Sequence, residues 1–460
     1  MPHTSARTGR KAATLIAMAG SAALALTAAA PGTAATAAGT ATGSMTPAIG
    51  AQPHFKRVGT ASPNATTFGC QTTTPAGCYG PAQMRAAYGV DKLAKKGLDG
   101  RGRTIVIIDA YSSPSLVNDL NTFNAQFDLP AANLTQIAPD GLTPFDPNDA
   151  NQVNWSGEIT LDVEWAHAIA PAARIKLVMA RSNQDADILS ATRYAVDHNL
   201  GDVISQSFGE GEKCMDPALM AQQHRLFARA TARGITLLAS SGDQGSAQPT
   251  CDGTSYYKAA STPASDPNVT GVGGTMLDAD GLTGAYHSET VWNEPGYEAA
   301  GGGGFSVLYR TPSYQRGNLH LRSRGVPDVA YNAAINGGVL AVWTPGNNPQ
   351  ATYLFGGTSA GSPQWAGLIA LADQAGRRRV GAINPTLYAI SHSRKNYAND
   401  FHDVTTGDNH FPGDPVIAGF SAHRGWDAAS GLGTPKADKL IPALVQRGHG
   451  HGHGHGHGHR

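Results

Sequence analysis

The sequence predicts an α/β protein built on a doubly wound parallel sheet, with helices on both faces and a single large domain. Three observations carry that prediction. Short β-branched runs alternate along the chain with helical patterns, which is the signature of a parallel sheet crossed by helices. Polar motifs follow several of those runs, where sites in such folds collect, at the carboxyl ends of strands. The chain has 460 residues, enough to bury one core of about 250 to 400 residues.

Taken in order, Arg7, Arg10 and Lys11 precede an apolar Ala- and Leu-rich stretch from Ala12 to Ala30, and Ala35-Thr36-Ala37 offers a small-residue cleavage site. Residues 1–37 therefore read as a secretory signal peptide. Residues 38–78 are rich in Ala, Thr, Gly, Ser and Pro and read as a mobile leader. The globular part is expected over 79–446. Its strands are expected at Ile105–Ile108, closed by Asp109-Ala110, then at Ile175–Met179, Val203–Ser207, Ile235–Ala239 and Val269–Val272. Helices are expected at Ser115–Phe127, Gln184–His198 and Pro217–Arg233. Residues 447–460 alternate His and Gly, cannot form a core, and are assigned no role in chemistry.

Composition narrows the partners. Lys and Arg together number 34, as do Asp and Glu, and charged residues make up only 15%, so no basic face for nucleic acid is indicated. Beyond the signal no stretch is long and apolar enough to span a membrane. The cysteines are Cys70, Cys78, Cys214 and Cys251, an even number expected to be bridged in an exported chain. Proximity favours Cys70–Cys78 and Cys214–Cys251 among the three possible pairings.

Three stretches carry candidate chemistry. In Phe355-Gly356-Gly357-Thr358-Ser359-Ala360-Gly361-Ser362-Pro363, glycines lead into a Thr-Ser pair and an apolar run at helical spacing follows. Ser359 is thus expected on the first turn of a buried helix, near free N–H groups and the positive end of the dipole, which suits a nucleophile whose attack creates an oxyanion. From Gly157 to Ala170, Ile159, Val163, Ala166 and Ala170 form an apolar stripe, with Asn154 or Ser156 as cap and Pro171 as the end. Glu158 and Asp162, four apart, project together beside it. Asp243 sits in Ser240-Ser241-Gly242-Asp243-Gln244-Gly245, directly after a strand.

The continuation to Pro363 makes the first stretch resemble the nucleophile segment of subtilisins and sedolisins. Glu158-x-x-x-Asp162, continuing to Ala170-Pro171, resembles the acidic helix of the sedolisins, or serine-carboxyl peptidases, and Asp243 matches their Ser-Gly-Asp-x-Gly segment. Val203–Gly209, Val272–Thr275, Gly301–Ser306 and Val326–Val329 extend the likeness from about Tyr79 to Pro435. It implies a subtilisin-like fold forming one catalytic domain and a secreted, monomeric, acid-acting endopeptidase for polypeptide substrates, although some relatives are tripeptidyl peptidases. Ser359 would be nucleophile, Glu158 base, Asp162 its orienting partner and Asp243 a protonated oxyanion donor. It also implies one structural Ca²⁺, held by the side chains of Asp403 and Asp427 and the carbonyls of Val404, His423 and Gly425. Members of that family commonly carry a long prodomain, whereas here only the leader 38–78 stands between the signal and the first motifs.

Other readings share Ser359. Gly357-x-Ser359-x-Gly361 matches a nucleophile elbow, which needs a downstream histidine such as His392, His402, His410 or His423. A subtilisin would use Asp109 with a His-Gly-Thr-His segment that this chain lacks. A non-enzyme alternative is a secreted binder of peptides or cell wall on the same fold.

Overall fold

The computed structural model describes residues 50, 53–62, 67–316, 319 and 321–447. The signal peptide expected over 1–37 and the His-Gly tail beyond Arg447 lie outside them. The central sheet runs Tyr286–Val291, Thr270–Ala279, Thr236–Ser240, Val203–Gln206, Thr104–Ala110, Arg174–Ala180, Asn133–Ile137, and Val329–Asn332 joins it beside Thr270–Ala279. Every pairing is parallel except that of the edge strand Tyr286–Val291. The first strand, Thr104–Ala110, has Arg174–Ala180 on one side and Val203–Gln206 on the other. Chain direction across the sheet reverses there, and such a switch point opens a crevice at the carboxyl ends of the strands.

The strands are apolar on both faces because both faces are covered. Ile105, Ile107, Ile175, Leu177 and Val203 point into one core with Ile159, Val163 and Trp165 of the helix Ala150–Ile169 and Ile369 and Leu371 of the helix Gly361–Gly376. Their neighbours Val106, Ile108, Val178 and Ile204 point into a second core with Ile188 and Leu189 of Asp185–Asp197 and Leu226 and Phe227 of Pro217–Ala232. Alternation with period two thus becomes an unbroken apolar run wherever helices lie on each side. All described residues belong to one compact unit, the single large domain expected, and both expected disulfides, Cys70–Cys78 and Cys214–Cys251, are formed.

The expected leader needs correction. Residues His54–Thr60 form a strand, antiparallel to Ala351–Gly356, in a second sheet completed by Gly338–Trp343 and Cys78–Tyr79. Phe55 packs edge-on against Trp343 with ring centroids 4.8 Å apart. Composition averaged over 38–78 masks this short local run of large side chains. The helix carrying Glu158 is also longer than expected. It spans Ala150–Ile169, and the Asp149 side chain caps it by accepting from the N–H groups of Asn151 and Gln152, the role expected of Asn154 or Ser156. Its first turn is polar, so an apolar stripe could not reveal it.

Asp373 gives a test of how the core handles charge. It is fully buried on Gly361–Gly376, its Oδ1 accepts from the Val380 N–H at 2.6 Å, and Oδ2 is buried without a partner among the described residues. Burial, with Asp202 adding to it against Arg103 and Arg379, pushes its carboxyl up to about 8. The folded chain therefore keeps a proton that the unfolded chain releases near pH 4, so this contribution to stability is full below about pH 4 and drains away as pH rises to about 8. Asp373→Asn should flatten the decline of melting temperature across that window, measured by thermal melts from pH 4 to 8. An unchanged slope would show that Asp373 is ionised in the fold.

Candidate active site

The strand Ala351–Gly356 delivers the chain to Gly357, then to a tight 3₁₀ turn over Thr358–Ala360, then to the helix Gly361–Gly376. Ser359 therefore lies one turn ahead of the helix proper, with Pro363 inside its first turn. Gly357 has φ of 119°, and a Cβ there would stand 2.7 Å from Asp243 Oδ2. Only glycine allows both the backbone and that approach. Asp243, after the strand Thr236–Ser240, is held by Thr358, whose N–H and Oγ1 donate to Asp243 Oδ1 at 2.9 and 2.8 Å. Ser359 is 8% exposed, and its hydroxyl donates weakly to the Ser207 carbonyl at 3.4 Å.

Opposite stands the helix Ala150–Ile169, on which every residue from Trp155 to Ile169 is buried. Glu158 and Asp162 thus occupy no solvated face. The Ser207 hydroxyl donates to Asp162 Oδ1 at 2.7 Å. A third carboxyl, Asp109, arrives at the end of Thr104–Ala110, fully buried with neither oxygen hydrogen-bonded among the described residues. Burial, then the charge of Asp162, holds Glu158 well above the usual carboxylate range, opposed by the Ser359 hydroxyl. Burial, then Asp109, does the same to Asp162, opposed by Ser207. Asp109 is raised by burial and by Glu158, with no hydroxyl to oppose it. Three carboxyls so coupled cannot all ionise. Neither Glu158 oxygen has a hydrogen-bond partner among the described residues, so of the three carboxyls only Asp162 accepts from a hydroxyl, that of Ser207.

The structure thus brings Ser359, Glu158, Asp162 and Asp243 to one crevice at the switch point. Ser207 carries no catalytic signal in the sequence, and Asp109 suggests itself there only for the subtilisin arrangement. The signal for Asp109 was present, since it closes the strand at the centre of the sheet. Among the described residues no histidine lines the cleft of about 180 Å³ that contains Ser359 and Asp243, and His167 instead meets the Pro130 carbonyl at 2.8 Å. The elbow reading therefore lacks its base. At one edge of the cleft Gly209 forms an isolated antiparallel bridge with Gly50.

The residues expected to hold calcium lie elsewhere. Asp403 accepts from the Tyr397 hydroxyl at 2.8 Å and from the Gly425 N–H at 3.2 Å. Asp427 Oδ2 accepts from the His423 N–H at 2.9 Å, and its Oδ1 accepts from Ala429, Ser430 N–H and Ser430 Oγ. Among the described residues no three His, Cys, Asp or Glu side chains gather as a metal cluster. An ion here would depend on two carboxylates and backbone carbonyls, an all-oxygen set whose chemistry fits a hard cation.

Comparison with known proteins agrees with this geometry. The Subtilase family model (Peptidase S8) matches residues 149–386. Kumamolisin of Bacillus sp. (strain MN-32) is 35% identical over 408 residues, covering 86% of this chain and 68% of its own. Sedolisin of Pseudomonas sp. (strain 101) is 33% identical over 363 residues, covering 75% and 58%. The structure of Pseudomonas sedolisin complexed with two molecules of pseudo-iodotyrostatin aligns with a TM-score of 0.69 at 29% identity, over 81% of this chain and 99% of that one. This chain therefore belongs to the sedolisin family of serine-type peptidases, which share the subtilisin-like fold.

Proposed function

We propose that the chain is a secreted, acid-acting serine-carboxyl endopeptidase that cleaves polypeptides through an acyl-enzyme on Ser359. The observation that carries this reading is a serine hydroxyl standing between a buried carboxyl pair, Glu158–Asp162, and a third carboxyl, Asp243, fixed by Thr358. Ser359 Oγ attacks the scissile carbonyl carbon as its proton passes to Glu158. The Asp243 carboxyl and the Ser359 N–H donate to the oxyanion. The intermediate collapses, the C–N bond breaks, and the amine leaves with the proton from Glu158. Water then attacks the ester, gives a proton to Glu158, and Ser359 recovers it on departure. Secretion rests on the signal-like N-terminus and the two disulfides. Among the described residues no helix is long and apolar enough to cross a membrane.

Ser359→Ala and Glu158→Gln should each lower kcat/KM on a denatured protein substrate by about a thousandfold or more while circular dichroism stays unchanged, because both serve one proton transfer. Burial and Asp162 raise the Glu158 carboxyl, and the base must be ionised. The ascending limb of activity should therefore lie above the ordinary glutamate value of about 4.3. Robust hydrolysis by Glu158→Gln, with none by His167→Ala, would move the base to a histidine.

Asp243→Asn keeps an oxygen for Thr358 and an N–H for the oxyanion, so it should retain measurable activity. Asp243→Ala should lose about a hundredfold or more. Equal, near-normal rates for the two variants across pH 3 to 8 would reduce Asp243 to a turn residue.

A single Ca²⁺ held by Asp403, Asp427 and the carbonyls of Val404, His423 and Gly425 would stabilise the fold by mass action. Chelation should lower the melting temperature and added Ca²⁺ should restore it. Asp427 also caps Ala429 and Ser430, so Asp427→Asn should melt lower whatever the ion does. The telling result is whether its melting temperature stops responding to Ca²⁺.

A further inference from the structure

Ser207 holds a place in this site that the proposed reaction leaves unexplained. It is 1% exposed and follows the strand Val203–Gln206 at its carboxyl end. The register pairs Gln206 with Ile108, so Ser207 and Asp109 are the next residues on neighbouring strands. The Ser207 hydroxyl nevertheless turns to the helix. Its Oγ donates to Asp162 Oδ1 at 2.7 Å, and the alternative acceptor, the Ser359 carbonyl, lies at 3.4 Å. The Ser207 carbonyl in turn accepts from Ser359 Oγ at 3.4 Å. One residue thus meets the nucleophile through its main chain and the acidic helix through its side chain. A change of side chain removes the second contact and spares the first.

Both oxygens of Asp109, both of Glu158 and Oδ2 of Asp162 are buried without a hydrogen-bond partner among the described residues. Asp162 Oδ1 is the exception. A hydroxyl donor favours the charged form of the carboxyl it meets, and a bond of this length to a carboxylate is of the stronger, charge-assisted kind. Charge is thereby drawn to Asp162. The charged groups that act on the pair are all acids: Asp109 on Asp162, and Asp162 and Asp243 on Glu158. After burial, a negative Asp162 is the largest influence holding the Glu158 carboxyl high. Glu158 is therefore a stronger base while Asp162 is charged, and a weaker one if Asp162 takes up a proton.

We propose that Ser207 is a positioning residue for the proton transfer: its hydroxyl fixes the Asp162 carboxylate, and through that carboxylate it sets how readily Glu158 accepts the proton of Ser359. The inference rests on the peptidase reading, and the Ser359→Ala protein separates the two. On a denatured protein substrate, Ser207→Ala should lower kcat about tenfold with KM changed by less than about twofold. The ascending limb of its pH profile should move down toward the ordinary glutamate value of about 4.3. A slower enzyme with a lower limb is not what a general loss of packing produces. Ser207→Cys, which keeps the volume and donates only weakly, guards against a folding defect in the alanine variant and should shift the limb the same way. Asp162→Asn should do so too, and adding Ser207→Ala to it should cost less than about twofold more, because the hydroxyl acts through the charge already removed. An unchanged limb in both Ser207 variants, or a tenfold loss that persists in full in the Asp162→Asn background, would overturn the role of Ser207. Failure of the wild type to cleave better than Ser359→Ala would overturn the peptidase reading itself.

Discussion

Burying carboxyl groups together is the constraint on which the site depends. Asp109, Glu158 and Asp162 are each fully buried, and in water-poor surroundings their charges oppose one another and their own desolvation. The fold answers with one hydroxyl, that of Ser207, which donates to Asp162. It also answers with geometry. Two of the acids share one helix at a spacing of four residues, and the third ends the strand Thr104–Ala110, so each feels the charge of another. A nucleophile placed against such a set faces a base that is already desolvated and oriented before substrate arrives.

The same preference for protons extends beyond the cleft. Burial also raises Glu164, Glu210 and Asp373. Each favours the folded state in acid, opposite in sign to the salt-bridged carboxylates that make ordinary proteins unfold there. Arg324 and Asp328 form the fully buried ion pair of the molecule's described part, while most other pairs are exposed on at least one side. A chain whose interior is neutral when protonated loses little when the medium becomes acidic.

Much of this was legible from residue order. The strand runs near Ile105, Ile175, Val203, Ile235 and Val269 all appear in the sheet, because β-branched runs between helical patterns have few other ways to be buried. The Thr-Ser pair, the Glu158–Asp162 spacing and Asp243 were each visible as local patterns. Their convergence was not, since it depends on which strands are neighbours. Asp109 was overlooked as a partner of Glu158 for that reason, and Ser207 because a serine at a strand end has many uses. The strand His54–Thr60 was hidden by the composition around it, and the cap at Asp149 by a first helical turn with no apolar stripe.

The disulfide Cys214–Cys251 closes a ring of chain that contains the strand Thr236–Ser240 and Asp243. Ser207, Asp109, Glu158, Asp162 and Ser359 all lie outside that ring. The two halves of the crevice are thus secured by different means, one by packing between a helix and a sheet, the other by a covalent loop as well. Packing is complete once the chain has folded, whereas the loop is complete only after two thiols have met an oxidant. The half that carries Asp243 thus has a covalent closure that the half carrying Glu158 and Asp162 does without.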